Sequence, residues 1–310
     1  MAAANSLATL LAKHLRAVIA MAVVVVLIVT VVVFESNYSP RHYRQRTYDS
    51  TTYTHHVHPT RAQQAATLSV TNSFRRTVVT ASQSFVLASS SLVRAIRAGD
   101  LPAARSAELH SQAAFDQLRA SFAIGVTSLA PLDALVSDQL PGAAPQGLHA
   151  VERDLWSGHV AHALLAARAV ADASVLIEFG VFRTILTPSA VCGRLSELLS
   201  WTVENVIDSS QERYSHRDML DVRATVDFTN HVSASLVTLG LLVSPPLARE
   251  LSQRIGATVL LTSPYANAPL DSSVSADVWR ELAQSIVAVQ STLGQLDGVL
   301  NGLGTGRPYA

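Results

Sequence analysis

The chain has 310 residues, of which 49% are hydrophobic and only 15% charged, and its formal net charge is +0. Such a chain has ample apolar material for a core, enough for one large domain or two smaller ones. The neutral balance argues against a nucleic-acid partner, which requires a basic surface for phosphates, and the single cysteine, Cys192, excludes an internal disulfide or a thiolate metal cluster.

From Ala17 to Phe34 the residues are apolar except Thr30, a run as long as a membrane-spanning helix. Lys13, His14 and Arg16 precede it and Glu35 follows. The positive-inside rule then places residues 1–16 in the cytoplasm and everything after residue 34 on the extracytoplasmic side. The expected arrangement is a single-pass anchor in the cell membrane. The rival is a cleaved signal peptide, but Val31-Val-Val-Phe-Glu-Ser36 offers no small-x-small cleavage site, which favours an uncleaved signal anchor. Residues 35–60 form an exposed linker without apolar periodicity; His55, His56 and His58 within it make either a solvated stalk or a loose metal-binding cluster.

From Arg61 onward the spacing predicts helices joined by turns. Phe74, Val78, Ala81, Phe85, Ala88, Leu92 and Ala95 alternate steps of four and three, a helix-packing stripe. Gly99 ends it, Asp100 caps the next helix and Pro102 fits its first turn. That helix carries Ala104, Ala107, Leu109, Phe115 and Leu118 on its apolar face. After a looser stretch, 125–146, a third helix starts near Gly147 and runs past Leu165 toward Phe182. Thr187 and Pro188 open a fourth, with Leu195, Leu198, Leu199 and Val203 inside. Ser215 and Asp218 fit a capping box ahead of a long helix ended by Pro245-Pro246. Helices at 248–261 and 276–303 complete the chain. Cys192, in an apolar pattern, is expected to be a small buried hydrophobe. The fold class is all-α: two antiparallel helical bundles side by side, about 61–182 and about 186–310, after one N-terminal transmembrane helix.

The most specific chemical signal is Gly147-Leu-His-Ala-Val-Glu-Arg-Asp-Leu-Trp156. His149 and Glu152 stand three residues apart, on one helical face, where an imidazole and a carboxylate can share a metal ion. Leu148, Val151 and Leu155 anchor the same helix. Asp116, from the second helix, is the expected third ligand, and Asp218 is a further candidate that is as readily structural. Neutral imidazole with carboxylates suits iron, zinc or manganese better than calcium. Placing the pair in a cleft carries the expectation that Glu152→Ala weakens metal binding and leaves the fold intact. The chain contains no phosphate-binding Gly loop, no Gly-x-Ser-x-Gly elbow and no His-Glu-x-x-His motif.

Several stretches, in order from about residue 65 onward, resemble the imelysin-like family, in particular its EfeO/EfeM-type iron-uptake components. They are Ala95-Ile-Arg-Ala-Gly-Asp-Leu101, Phe115-Asp-Gln-Leu118, Gly147-Leu-His-Ala-Val-Glu152 with Leu155-Trp156, Leu186-Thr-Pro188, and Glu212-Arg-Tyr-Ser-His-Arg-Asp-Met-Leu-Asp221. The resemblance implies a two-bundle fold with a metal-binding cleft around the His-x-x-Glu helix. It also implies delivery of ferrous or ferric iron to a membrane permease, with a haem peroxidase as a third component. Departures point to altered metal choice or to loss of the metal. The family's cupredoxin domain is replaced by the anchor and linker, Asp116 stands for a glutamate, and Gln112 stands for an arginine. The acidic stretch before the motif is reduced to Asp133 and Asp138, and the acid expected after Glu197 is replaced around Ser200-Trp201. A helical interaction module that binds no metal is therefore the alternative. A metallopeptidase is the weaker third reading, since His-x-x-Glu alone supplies no third ligand, open coordination position and base.

Overall fold

Local side-chain chemistry sets most helix ends. In a computed structural model, which describes residues 59–122, 132, 147–181, 186–207, 214–265 and 271–301, α1 (Arg61–Ala98) opens on a capping box. Thr60 Oγ1 accepts the Gln63 amide, and Gln63 Oε1 accepts the Thr60 amide. Gly99 closes α1, and Asp100 Oδ1 accepts the Ala103 amide at 3.0 Å to start α2 (Leu101–Phe122). Thr187 caps α5 (Pro188–Trp201), with Pro188 in the first turn as the sequence predicts. The expected anchor, the linker up to residue 58 with its histidine cluster, and nearly all of the 125–146 stretch lie outside the described residues.

The third predicted helix is two helices. α3 (Leu148–Trp156) stops at Ser157, and α4 (Val160–Val181) begins after His159. Gly158 between them has φ 79°, a left-handed conformation that costs glycine nothing. α5 runs into a π-helical turn, Thr202–Ile207, which takes Val203 off the regular helix. Then come α6 (Asp218–Val243), α7 (Pro245–Thr262) and α8 (Ala276–Asn301). Pro245 opens α7 as well as ending α6. Among the described residues every regular element is helical, and all fall within one compact unit, residues 54–310.

α1 is the central strut, packed against α2, α4 and α6. Phe85 of α1 meets Phe115 of α2, with ring centroids 5.5 Å apart, and Phe74 meets Phe228 of α6 edge-on at 6.1 Å. Phe74, Val78, Ala81, Phe85 and Leu92 are buried as expected, while Ser89 and Ile96 take the interior beside half-buried Ala88 and Ala95. Cys192 is buried, and burial together with nearby Asp297 pushes its thiol far above the ordinary value, so it is inert packing. Two helical stretches, Val160–Glu178 and α6, are long and apolar enough to cross a membrane by length and composition. In this fold α6 is an interior helix, half buried against α1, α2 and α7.

Candidate metal centre

α3 is buried on almost every side, which a nine-residue helix on a surface would not be. Gly147, at φ 82°, turns the chain into it through a conformation that a Cβ would strain. Leu148, Val151 and Leu155 fill the core as predicted. Arg105 of α2 fixes the far end: its Nη2 donates to the Leu155 carbonyl at 3.0 Å and its guanidinium lies over the Trp156 ring. A cation there also complements the negative end of the helix. His149 and Glu152 are 2% and 1% exposed, and His149 Nδ1 lies 3.7 Å from Glu152 Oε2. Thus the pair is enclosed, not displayed in an open cleft. Asp154, also buried, is taken by Arg153 at 2.6 Å.

Glu152 has a second task, absent from the sequence reading. Its Oε1 accepts the backbone amides of Tyr214 at 2.8 Å and Ser215 at 2.7 Å, which ties α3 to the turn before α6. That turn does not use the predicted Ser215–Asp218 capping box. α6 begins at Asp218 after Arg217, with no side-chain cap of its own. Asp271, from the short helical turn Asp271–Ser273, accepts the amides of Asp218 and Met219 at 3.1 and 3.3 Å. The Asp271 amide in turn donates to the His216 carbonyl at 2.8 Å. His216 is exposed at φ 55°, so the chain reverses where a capping box would need an extended entry.

α2 supplies the opposite wall. Its interior stripe is Ala104, Glu108, Ser111, Phe115 and Leu118, all buried, in steps of four, three, four and three. Glu108 holds the place assigned above to Leu109, which is only half buried. Asp116, fully buried beside that stripe, accepts from Arg119 Nε at 2.8 Å and from Gln112 Nε2 at 3.2 Å. Arg119 lies over two aromatic rings, 3.5 Å from the Trp201 ring centroid and 5.0 Å from that of Phe115. Trp201 comes from the end of α5, where the π-helical turn begins; such turns gather at functional sites. On α6, Asp218 and Asp221 are both 3% exposed and one helical turn apart.

The structure therefore gathers polar pairs from three helices into one buried cluster. Glu108 feels the charges of Glu152 and Asp116, and Asp221 feels those of Asp116, Asp218 and Glu108. Burial, and then these neighbours, hold the Glu108 and Asp221 carboxyls well above the ordinary carboxylate range; Arg119 partly offsets this at Asp221. Both Glu108 carboxylate oxygens, and Gln112 Oε1, are buried without a hydrogen-bond partner among the described residues. His149 and Glu152 stand together, and Asp116 and Asp218 join them through Glu108 and Asp221, neither of which was among the candidate ligands. Among the described residues, no three histidine, cysteine, aspartate or glutamate side chains converge closely enough to hold a metal ion as they stand. Chemically the cluster is an oxygen-rich set with one imidazole and one fixed cation. Its donor types are those that hard or borderline metal ions prefer, without the thiolates preferred by a soft one.

Against known protein families and curated proteins, the chain matches no family model and no curated sequence.

Proposed function

We propose that this chain is a membrane-anchored, extracytoplasmic metal-binding protein that holds iron, ferrous or ferric, for delivery to an uptake permease, with zinc or another divalent metal as an alternative cargo. One observation carries the reading: among the described residues, Glu108, Asp116, Glu152, Asp218, Asp221 and the His149 imidazole are buried in one cluster, and burial with acidic neighbours holds the Glu108 and Asp221 carboxyls well above the ordinary range. Uncompensated negative charge in a protein interior is costly. Either protons or a cation must balance it, and a metal ion does so with ligand bonds to spare. His149, Glu152, Asp116 and Asp218 are the proposed ligands. Side-chain rotation about χ angles would bring them onto one ion, since they project from α2 and from the two helices, α3 and α6, that each pack against it. The apolar 17–34 run and the imelysin-like motifs support the anchor, the iron cargo, the permease and a haem peroxidase as partners.

The same reading gives the helices as two antiparallel bundles side by side. In support, α1 packs with α2 and α4, and α3 with both, while α8 packs with α5 and α7, and α7 with α6. The cluster would then lie where α2 and α3 of the first bundle meet α6 of the second.

A helical interaction module is the second reading, favoured by the engagement of Glu152 Oε1 with two backbone amides. Calorimetric titration of the purified full chain with ferrous, ferric and zinc ions separates the two. Ferrous and zinc binding should weaken by about tenfold or more in His149→Ala and Glu152→Gln. No binding by the wild type, or equal binding by all three proteins, would leave the interaction module.

A further inference from the structure

The His149–Glu152 pair is not the most charge-starved part of the cluster. Glu108 is 0% exposed, and neither of its carboxylate oxygens has a hydrogen-bond partner among the described residues. One turn along α2, the Gln112 amide gives its Nε2 to Asp116, which leaves its Oε1 buried and also without a partner. A glutamate and an amide carbonyl of this kind lose their water on folding and gain nothing in return. Once Glu108 gives up its proton to an incoming ion, both groups are acceptors only, as the ligands of hard cations are. Across from them stands Asp221 of α6, close enough that the charges of Glu108 and Asp116 act on it.

The geometry points to an all-oxygen cation subsite that Glu108, Gln112 Oε1, Asp116 and Asp221, which do not converge on an ion as they stand, form by side-chain rotation next to the His149–Glu152 pair, and that takes hard trivalent cations in preference to divalent ones. It rests on the cation-binding reading of the cluster but not on iron or on His149. Three carboxylates and an amide oxygen match a small ion of high charge density. His149, a softer nitrogen donor, belongs to the neighbouring pair and serves divalent zinc or ferrous ions. Arg119 limits the charge the subsite needs, because its guanidinium already holds one Asp116 oxygen at 2.8 Å.

Terbium ion alone, titrated into the purified full chain, is the probe. It takes oxygen ligands, and its emission is sensitised by a nearby indole; Trp201 lies against Arg119, which is bonded to Asp116. The wild type should bind terbium with sensitised emission. Glu108→Gln should weaken terbium by about tenfold or more while changing zinc affinity by no more than about twofold, and His149→Ala should do the reverse. If Glu108→Gln does not fold, Glu108→Asp, which keeps the charge and shortens the reach, should still weaken terbium selectively. Terbium binding unchanged by both Glu108 variants, or absent from the wild type, overturns the subsite. So does a parallel loss of terbium and zinc. Terbium binding with no uptake of iron or zinc would remove the proposed iron function and leave the subsite standing; uptake of iron or zinc without terbium would do the opposite.

Discussion

Glu152 Oε1 accepts the backbone amide of Ser215 at 2.7 Å, across a sequence separation of 63 residues. The same oxygen accepts the Tyr214 amide, so one carboxylate holds the α3 helix to the turn that launches α6. Its other oxygen faces His149. Glu152 thus shapes the fold and the candidate site with one side chain.

Glu152→Ala should therefore destabilise the protein, contrary to the expectation for a ligand in an open cleft. The substitution strips two amides of a charged acceptor in a buried place, at a cost of about 2–4 kcal/mol. Glu152→Gln keeps an acceptor oxygen and should lose less than half as much. Urea unfolding of the three proteins checks this; equal midpoints would mean the amide bonds contribute nothing.

Removal of the cap on α6 should act at Asp271, not at Ser215. Asp271→Ala leaves the amides of Asp218 and Met219 without their acceptor and should lower stability by about 1 kcal/mol. Ser215→Ala, which removes no cap from α6, should cost less than Asp271→Ala. Thermal melts of both variants suffice, and the reverse order would restore the capping box.

Stability of the metal-free chain should fall as pH rises. The Glu108 carboxyl ordinarily ionises near 4.5, and in the fold that point is raised by burial and then by Glu152 and Asp116. Between the two values the folded protein holds a proton that the unfolded chain gives up. The linkage relation then makes the contribution full below the ordinary value and lost as pH rises through the raised one. Asp221, raised in the same way, adds to the trend. Glu108→Gln cannot ionise and should flatten the slope measured by urea unfolding from about pH 5 to about pH 8. Bound metal should reverse the trend, because the ion replaces the protons and needs a neutral His149. A slope that is the same in wild type and Glu108→Gln would show that Glu108 is already ionised in the fold.

The parts of this structure legible in the sequence are those set by neighbours along the chain. Asp100 and Thr187 cap their helices through amides three residues away, and the Phe74–Leu92 stripe buries itself by spacing alone. The break at Gly158 was hidden because apolar residues continue on both sides of it. Asp271 could not be found from α6, since its partners lie more than fifty residues away. Glu108 was missed for a different reason. A glutamate in a helix is ordinarily read as solvent-facing, although its place in the series Ala104, Glu108, Ser111, Phe115, Leu118 put it on the buried stripe. In the His149–Glu152 pair the spacing was visible, whereas the amides that engage Glu152 belong to a distant turn.

Iron K-edge absorption on the ferrous-loaded full chain tests metal binding at the His149–Glu152 pair most directly. Iron held there should show oxygen scatterers at carboxylate distances together with the multiple-scattering signature of one imidazole, and that signature should vanish in His149→Ala. An unchanged spectrum in His149→Ala, or a wild-type spectrum with no imidazole at all, would place the iron elsewhere.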